Sequence, residues 1–216
     1  MKDKISAVVF DMDGVLFDSE RITRIMWGKA AAEYGISDFE TAVRDCTGSS
    51  RTDQYEYLWK KYGRDFPAVE FRERCSVLFH TYADENGLPL MHYAREILDY
   101  LTEKKYPLAL ASSTRKDAVY RELKEADFFK YFSAIICGDE VEHSKPDPEI
   151  YLRACSALGV PPENCVAVED SPNGIKSAYA AGMMPVMVPD QIQPGDEIKK
   201  LLFRLCPTLE DLKSFL

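Results

Sequence analysis

Asp11 and Asp13 stand two residues apart, directly after the apolar run Val8-Val9-Phe10. In an extended segment residues i and i+2 project to the same side, so both carboxylates would face one pocket. Desolvation and mutual repulsion oppose such a pair. A bound cation is the simplest compensation. Other chemistry-bearing residues also close apolar runs: Ser112 follows Leu108-Ala109-Leu110-Ala111, and Glu169-Asp170 follows Cys165-Val166-Ala167-Val168. Lys145 lies in the loop after the run at 134–137. Hard carboxylate oxygens at this density suit Mg²⁺, which keeps several waters and often binds a phosphate as well. A phosphoryl group beside a carboxylate nucleophile needs donors to hold it. Lys145 offers a point charge and Ser112 a short hydroxyl. Each has a plainer reading alone: a lysine before Pro146 is usually solvated, and Ser112-Ser113-Thr114 is a common way to start a helix. Their shared position at the ends of apolar runs argues against those readings.

The elements that must position them follow from the pattern. Residues 5–10, 107–111, 134–137, 165–168 and 185–188 are short apolar runs, as expected of strands buried on both faces in a parallel sheet. Between them lie helical patterns. Ala94, Ile97, Leu98 and Leu101 share one face. Thr114 and Asp117 are placed to start a helix, Asp147-Pro148-Glu149 to start another, and Ser171-Pro172 to cap a third that carries Ile175, Ala178 and Tyr179 on one side. Strand alternating with helix predicts right-handed βαβ units and an α/β fold of Rossmann-like type. In such sheets ligands bind at the carboxyl ends of the strands, where all these polar residues fall.

One block breaks the alternation. Residues 18–88 read as helix throughout. Ser19 is expected to cap a helix running to about Tyr34 and closed by Gly35. A capping-box spacing at Ser37–Glu40 opens a second, and patterns at 52–62 and 67–84 follow. Asn86-Gly87-Leu88-Pro89 ends the block. The expected organisation is an α/β core of residues 1–17 and 89–216 with an inserted helical domain of residues 18–88. Short helical segments are expected after the fifth strand.

Composition narrows the partners. At 216 residues and 46% hydrophobic, the chain is large enough for a core and an accessory domain, and not disordered. A net charge of −9 argues against nucleic acid or an anionic membrane as the main partner, while a local metal would still admit a small anionic substrate. No apolar stretch is long enough to span a bilayer. The six cysteines contain no C-x-x-C pair and read as reduced, buried thiols, so a cytoplasmic protein is the expectation. A monomer is expected, though no sequence feature sets the oligomeric state.

Four segments resemble the motifs of the haloacid dehalogenase superfamily. Asp11-Met12-Asp13-Gly14-Val15-Leu16-Phe17-Asp18-Ser19 is similar to its first motif and Ser112 to its second. Lys145-Pro146-Asp147-Pro148 is similar to the third, and Glu169-Asp170-Ser171-Pro172-Asn173-Gly174 to the fourth. Order and spacing match along nearly the whole chain, and the helical block resembles the superfamily's small α-helical cap. The resemblance implies a nucleophilic Asp11 that forms an aspartyl-phosphate and an Asp13 that acts as acid and then base. It implies a phosphate cradle of Ser112 and Lys145. It also implies Mg²⁺ held by Asp11, Glu169, Asp170 and the Asp13 backbone carbonyl. Asp13 is absent from the dehalogenase branch, so the resemblance is to phosphotransfer members acting on a small phosphorylated metabolite. Asp18 and Ser19 match the cap hinge. Arg51, after Thr47-Gly48-Ser49-Ser50, matches a cap loop of the β-phosphoglucomutase-like subgroup, where it would grip a substrate phosphate or hydroxyl; an exposed cap arginine is the equal alternative.

One departure matters. The sugar-phosphate mutases of that subgroup carry a histidine four residues before a tryptophan in the first cap helix. Here that position, four before Trp27, is Thr23. The expectation is therefore a phosphatase, with a mutase as the alternative. His80, His92 and His143 have no metal-ligand or nucleophile spacing and read as structural or surface residues. A signalling receiver domain also uses Asp, Mg²⁺, Ser/Thr and Lys, but it is shorter, lacks a helical insertion, and phosphorylates an Asp after a later strand. No G-x-S-x-G elbow supports a serine hydrolase.

Overall fold

The computed structural model describes residues 5–46 and 51–216, so residues 47–50 of the expected cap loop lie outside it. In chain order the elements are β1 (Ala7–Phe10), α1 (Ser19–Glu33), α2 (Phe39–Cys46), α3 (Arg51–Tyr62), α4 (Ala68–Asn86), α5 (Ala94–Glu103), β2 (Leu108–Ala111) and α6 (Lys116–Glu125). Then come β3 (Ala134–Ile136), α7 (Glu149–Leu158), β4 (Cys165–Glu169), α8 (Pro172–Ala180), β5 (Met184–Met187), α9 (Asp196–Lys199) and β6 (Arg204–Leu205). The chain divides into two compact units, Met1–Asp18 with Pro89–Leu216, and Ser19–Leu88.

The first unit is built on one parallel sheet of order β3-β2-β1-β4-β5-β6. β1 lies inside it, with Val9 level with Ala109 on one side and Ala167 on the other. The connections run outward from β1 in both directions, so the strand order reverses there and leaves a crevice at the carboxyl edge. β1, β2 and β4 are buried along their whole length, which is why their sequences are apolar without alternation. On one face Ala7, Val9, Ala109, Ala111, Cys165 and Ala167 pack with Ile150, Tyr151 and Ala154 of α7 and Ala178 of α8. The small strand side chains let α7 approach closely, which seats the large Tyr151 against the sheet.

Where the chain leaves β1 it turns sharply: Leu16 and Phe17 donate to the Met12 carbonyl, and Gly14 donates to that of Phe17. Phe17 then bridges Leu90, so the outgoing and returning strands are tied together in the first unit. The second unit contains α1 to α4. Its core is Trp27, Ala30, Ala31, Leu58 and Phe71 with Tyr34 and Phe66 packed on it, several rings meeting edge to face. Among the described residues no helix is long and apolar enough to cross a membrane. All six cysteines are buried, and none forms a disulfide.

Some local expectations change. Ser19 opens α1, but its buried hydroxyl has no partner among the described residues, so it does not cap the helix. Tyr179 is 54% exposed while Ile175 and Ala178 are buried; it lies one residue beyond Ala178, about 100° round the helix and off the apolar stripe. A sixth strand stands where only helical segments were expected. It is two exposed residues long and offers no apolar run to read; backbone pairing with β5 defines it.

Candidate active site

The strand ends bring Asp11, Lys145, Glu169 and Asp170 together at the crevice beside β1. Asp11 is fixed from below, its N–H donating to the Val168 carbonyl at 2.9 Å. The Lys145 ammonium donates to Asp11 Oδ1 at 2.5 Å, to Glu169 Oε1 at 2.7 Å and to the Ala111 carbonyl at 2.9 Å. All three of its protons are placed. The side chains of Lys145, Asp11 and Glu169 are 7%, 10% and 1% exposed, so these are buried charges. Removing one partner from such a network typically costs about 3–5 kcal/mol, because the survivor is left unpaired.

Glu169 is held on both oxygens. Oε1 also accepts from the buried Tyr151 hydroxyl at 2.6 Å, and Oε2 accepts from the Ser171 hydroxyl at 3.1 Å. The same Ser171 oxygen accepts the Gly174 N–H at 3.1 Å, so Ser171 is the N-cap of α8 as its sequence predicts. Gly174 has to be glycine, since a Cβ there would lie 1.9 Å from the Glu169 carboxyl. Gly14 is constrained twice over: its φ is +75°, and a Cβ would lie 2.5 Å from Asp170 Oδ2. The two glycines let backbone approach the carboxylates from both sides.

Burial pushes the Asp11 carboxyl well above the usual range; Lys145 pulls it down, and Glu169 and Asp13 add to the rise. Burial works against the Lys145 ammonium too, but Asp11 and Glu169 outweigh it and hold its pKa above the ordinary value. Lys145 is thus charged at neutral pH, and its ring neighbour Tyr151, 5.0 Å away, adds a cation–π contact.

Asp11, Glu169 and Asp170 each offer an oxygen within 4.8 Å of the others. Three carboxylates against one ammonium leave an excess of negative charge, and their hard oxygens fit Mg²⁺. The Asp13 carboxylate is not in this group. It is half-buried, and Oδ2 accepts the Thr114 hydroxyl at 2.7 Å. Ser112 is fully buried at the end of β2; its oxygen accepts the Thr114 N–H at 3.0 Å.

Arg51 belongs to the second unit, where it is the exposed first residue of α3. His80, His92 and His143 are exposed. His143 does stand near Asp147 and Glu149, a grouping its spacing did not suggest. Both Glu149 oxygens there already accept backbone N–H groups of Glu142 and His143.

Residues that the sequence reading passed over complete the site. Tyr151 reads as one more core aromatic, and Thr114 as a helix cap. Glu122 was the one with a signal: a carboxylate at core spacing in α6, between Val119 and Leu123.

A parallel sheet with a buried carboxylate directly after its central strand, a buried lysine and an acidic cluster at the switch point is the arrangement of an α/β protein that takes its ligand at the strand ends. Residues 5–182 match the haloacid dehalogenase-like hydrolase family, and the chain belongs to it. It is 33% identical over 184 residues to the phosphorylated carbohydrates phosphatase of Thermotoga maritima, covering 83% of this chain and 82% of that one. It is 32% identical over 194 residues to hexitol phosphatase B of Escherichia coli K12, covering 86% and 84%. Among solved structures, a haloacid dehalogenase family hydrolase from Deinococcus radiodurans with bound phosphate and sodium superimposes with a TM-score of 0.81 at 27% identity. That match covers 99% of this chain and 95% of that one.

Proposed function

We propose that the chain is a Mg²⁺-dependent phosphatase that hydrolyses a small phosphomonoester, a phosphorylated carbohydrate by preference, through an aspartyl-phosphate on Asp11. The names of the two relatives support that substrate class. The observation that carries the reading is the difference in surroundings between the paired carboxylates. Asp11 is buried on Lys145, whereas Asp13, two residues on, is half-buried and outside the acidic cluster.

Asp11 attacks phosphorus as the ester oxygen departs, and Asp13 gives that oxygen a proton. A water then attacks the same phosphorus, giving its proton to Asp13, and Asp11 is released. Lys145 and the Ser112 hydroxyl hold the transferring group and oppose its charge. Mg²⁺ bound by Asp11, Glu169, Asp170 and the Asp13 carbonyl would offset the charge of the phosphoryl oxygens. The helical unit is the cap of this reading, with Arg51 a substrate contact within it. Thr23 stands where the related mutases have histidine, so hydrolysis is preferred to phosphoryl transfer back onto the sugar.

Phosphate release from a panel of sugar and polyol phosphates tests this. Turnover should vanish with EDTA, return with Mg²⁺, and fall at least about 10³-fold in Asp11→Asn. Metal-independent hydrolysis, or an active Asp11→Asn variant, would sink it. Isomerised sugar phosphate without net phosphate release would favour the mutase instead.

A further inference from the structure

We propose that Thr114 is a positioning residue for Asp13: its hydroxyl fixes one carboxylate oxygen so that the other carries the proton to and from the reacting centre. The proposal rests on the phosphatase reading above and assigns a task to a residue outside the four motifs.

By sequence Thr114 is a helix cap, yet in the structure it does not cap. The N-cap position of α6 is Arg115, with no side-chain cap bond, and the Lys116 N–H is satisfied by Asp139 Oδ1 at 3.0 Å. That aspartate comes from the turn after β3, so a neighbouring loop has taken over the capping task. The Thr114 hydroxyl is released to donate to Asp13 Oδ2 at 2.7 Å, across 101 residues of sequence.

The donor is held rigidly. The Thr114 N–H donates to the Ser112 hydroxyl at 3.0 Å, and the Thr114 carbonyl accepts the Gly138 N–H at 2.9 Å. Gly138 closes the clamp from outside: a Cβ there would lie 2.0 Å from the Ser113 carbonyl oxygen, so the two backbones touch. With the main chain pinned on both sides, the direction of the hydroxyl is set before substrate arrives.

Only one oxygen of Asp13 is engaged among the described residues. A hydroxyl donating to Oδ2 leaves that oxygen without a proton, so a protonated Asp13 carries it on Oδ1. Oδ1 gives the proton to the departing ester oxygen as the P–O bond breaks with its electron pair. It takes one back from the water that later cleaves the Asp11–phosphorus bond. Proton count is restored in each cycle. Fixing the carboxylate plane matters because a misplaced acid loses on the order of 10²-fold in rate.

The test compares Thr114→Val, Thr114→Ser and the unaltered full-length protein with Mg²⁺ on two esters, a sugar 6-phosphate and p-nitrophenyl phosphate. The alkoxide must be protonated as it leaves and the nitrophenolate need not be. kcat/KM reports only the steps up to loss of the alcohol, so it isolates the acid role. Thr114→Val should lower kcat/KM about 10- to 100-fold on the sugar phosphate but less than about 3-fold on the aryl ester, and Thr114→Ser should restore the first to within about 3-fold. Equal losses on both esters, or no loss on either, overturn the proposal while leaving the hydrolase reading intact. If the unaltered protein releases phosphate from neither ester, the hydrolase reading fails first and the proposal with it.

Discussion

The two units use their polar groups in opposite ways. In the helical unit the interior is aromatic and aliphatic, and ion pairs such as Arg74–Glu33 and Arg24–Glu40 stay at the surface. Such pairs are screened by solvent and add little. In the sheet unit Asp11, Lys145 and Glu169 are buried at the strand ends, where a well-packed apolar trio of similar size would serve stability at least as well. Among the described residues the helical unit has no buried carboxylate–ammonium pair. The sheet unit has such pairs at one edge, and they coincide with the candidate site. Buried charge without a stability rationale, set in a crevice, marks a candidate for function.

Removing a ring from each unit's logic should therefore have different consequences. Phe71 is buried at the centre of the helical core, meeting Trp27 and Tyr34 edge to face at 5.3 and 5.4 Å. Phe71→Ala should cost about 3–5 kcal/mol by chemical denaturation, the largest stability loss expected of the substitutions considered, through lost burial and the cavity left behind. A loss under about 1 kcal/mol would mean that the aromatic cluster is not what holds that unit together.

A second substitution should do the reverse and stabilise the sheet unit. Glu122 is buried in α6, and its Oε2 has no hydrogen-bond partner among the described residues. Burial first, and the charge of Asp13 next, push its carboxyl up to about 8 from 4.5, against the pull of Arg121. Below pH 4.5 the group is protonated folded or unfolded and has no effect. Between 4.5 and 8 the unfolded chain sheds the proton while the folded chain keeps it, so stability falls as pH rises, and above 8 the full penalty applies. Glu122→Gln should thus raise stability by about 2 kcal/mol at pH 8.5 and by almost nothing at pH 4. A gain that is flat in pH would show that the carboxyl is not held protonated.

How far the sequence could reveal this depends on whether the signal was local. Asp11, Ser112 and Glu169-Asp170 each close an apolar run, and a parallel sheet sends all such ends to one edge. The four-helix block was legible because helices declare themselves by period and punctuation within one segment. The rest depended on distance. Nothing near Thr114 says that Asp139 will cap its helix and free its hydroxyl for Asp13. Nothing near Tyr151 separates a core tyrosine from one that holds Glu169. Strand β6 exists only because β5 is there to pair with.

Tyr151 is where the comparison can be sharpened with the gentlest change. It sits in the apolar core of the sheet unit like any large ring, fully buried among alanines, yet its hydroxyl donates to Glu169 Oε1 at 2.6 Å. One end obeys the packing logic of the helical unit and the other serves the charged edge. Tyr151→Phe keeps the ring and deletes only the hydroxyl, so Glu169 Oε1 retains Lys145 as its one donor. If the hydroxyl serves the site, orientation of Glu169 should loosen and Mg²⁺ affinity, measured by calorimetric titration, should fall about tenfold. The metal-free protein would then lose only about 1 kcal/mol of stability, the net worth of one hydrogen bond. An unchanged Mg²⁺ affinity with a larger loss of stability would place the hydroxyl with the core. The boundary between the folding and working parts of the molecule would then run above Tyr151, at Glu169 itself.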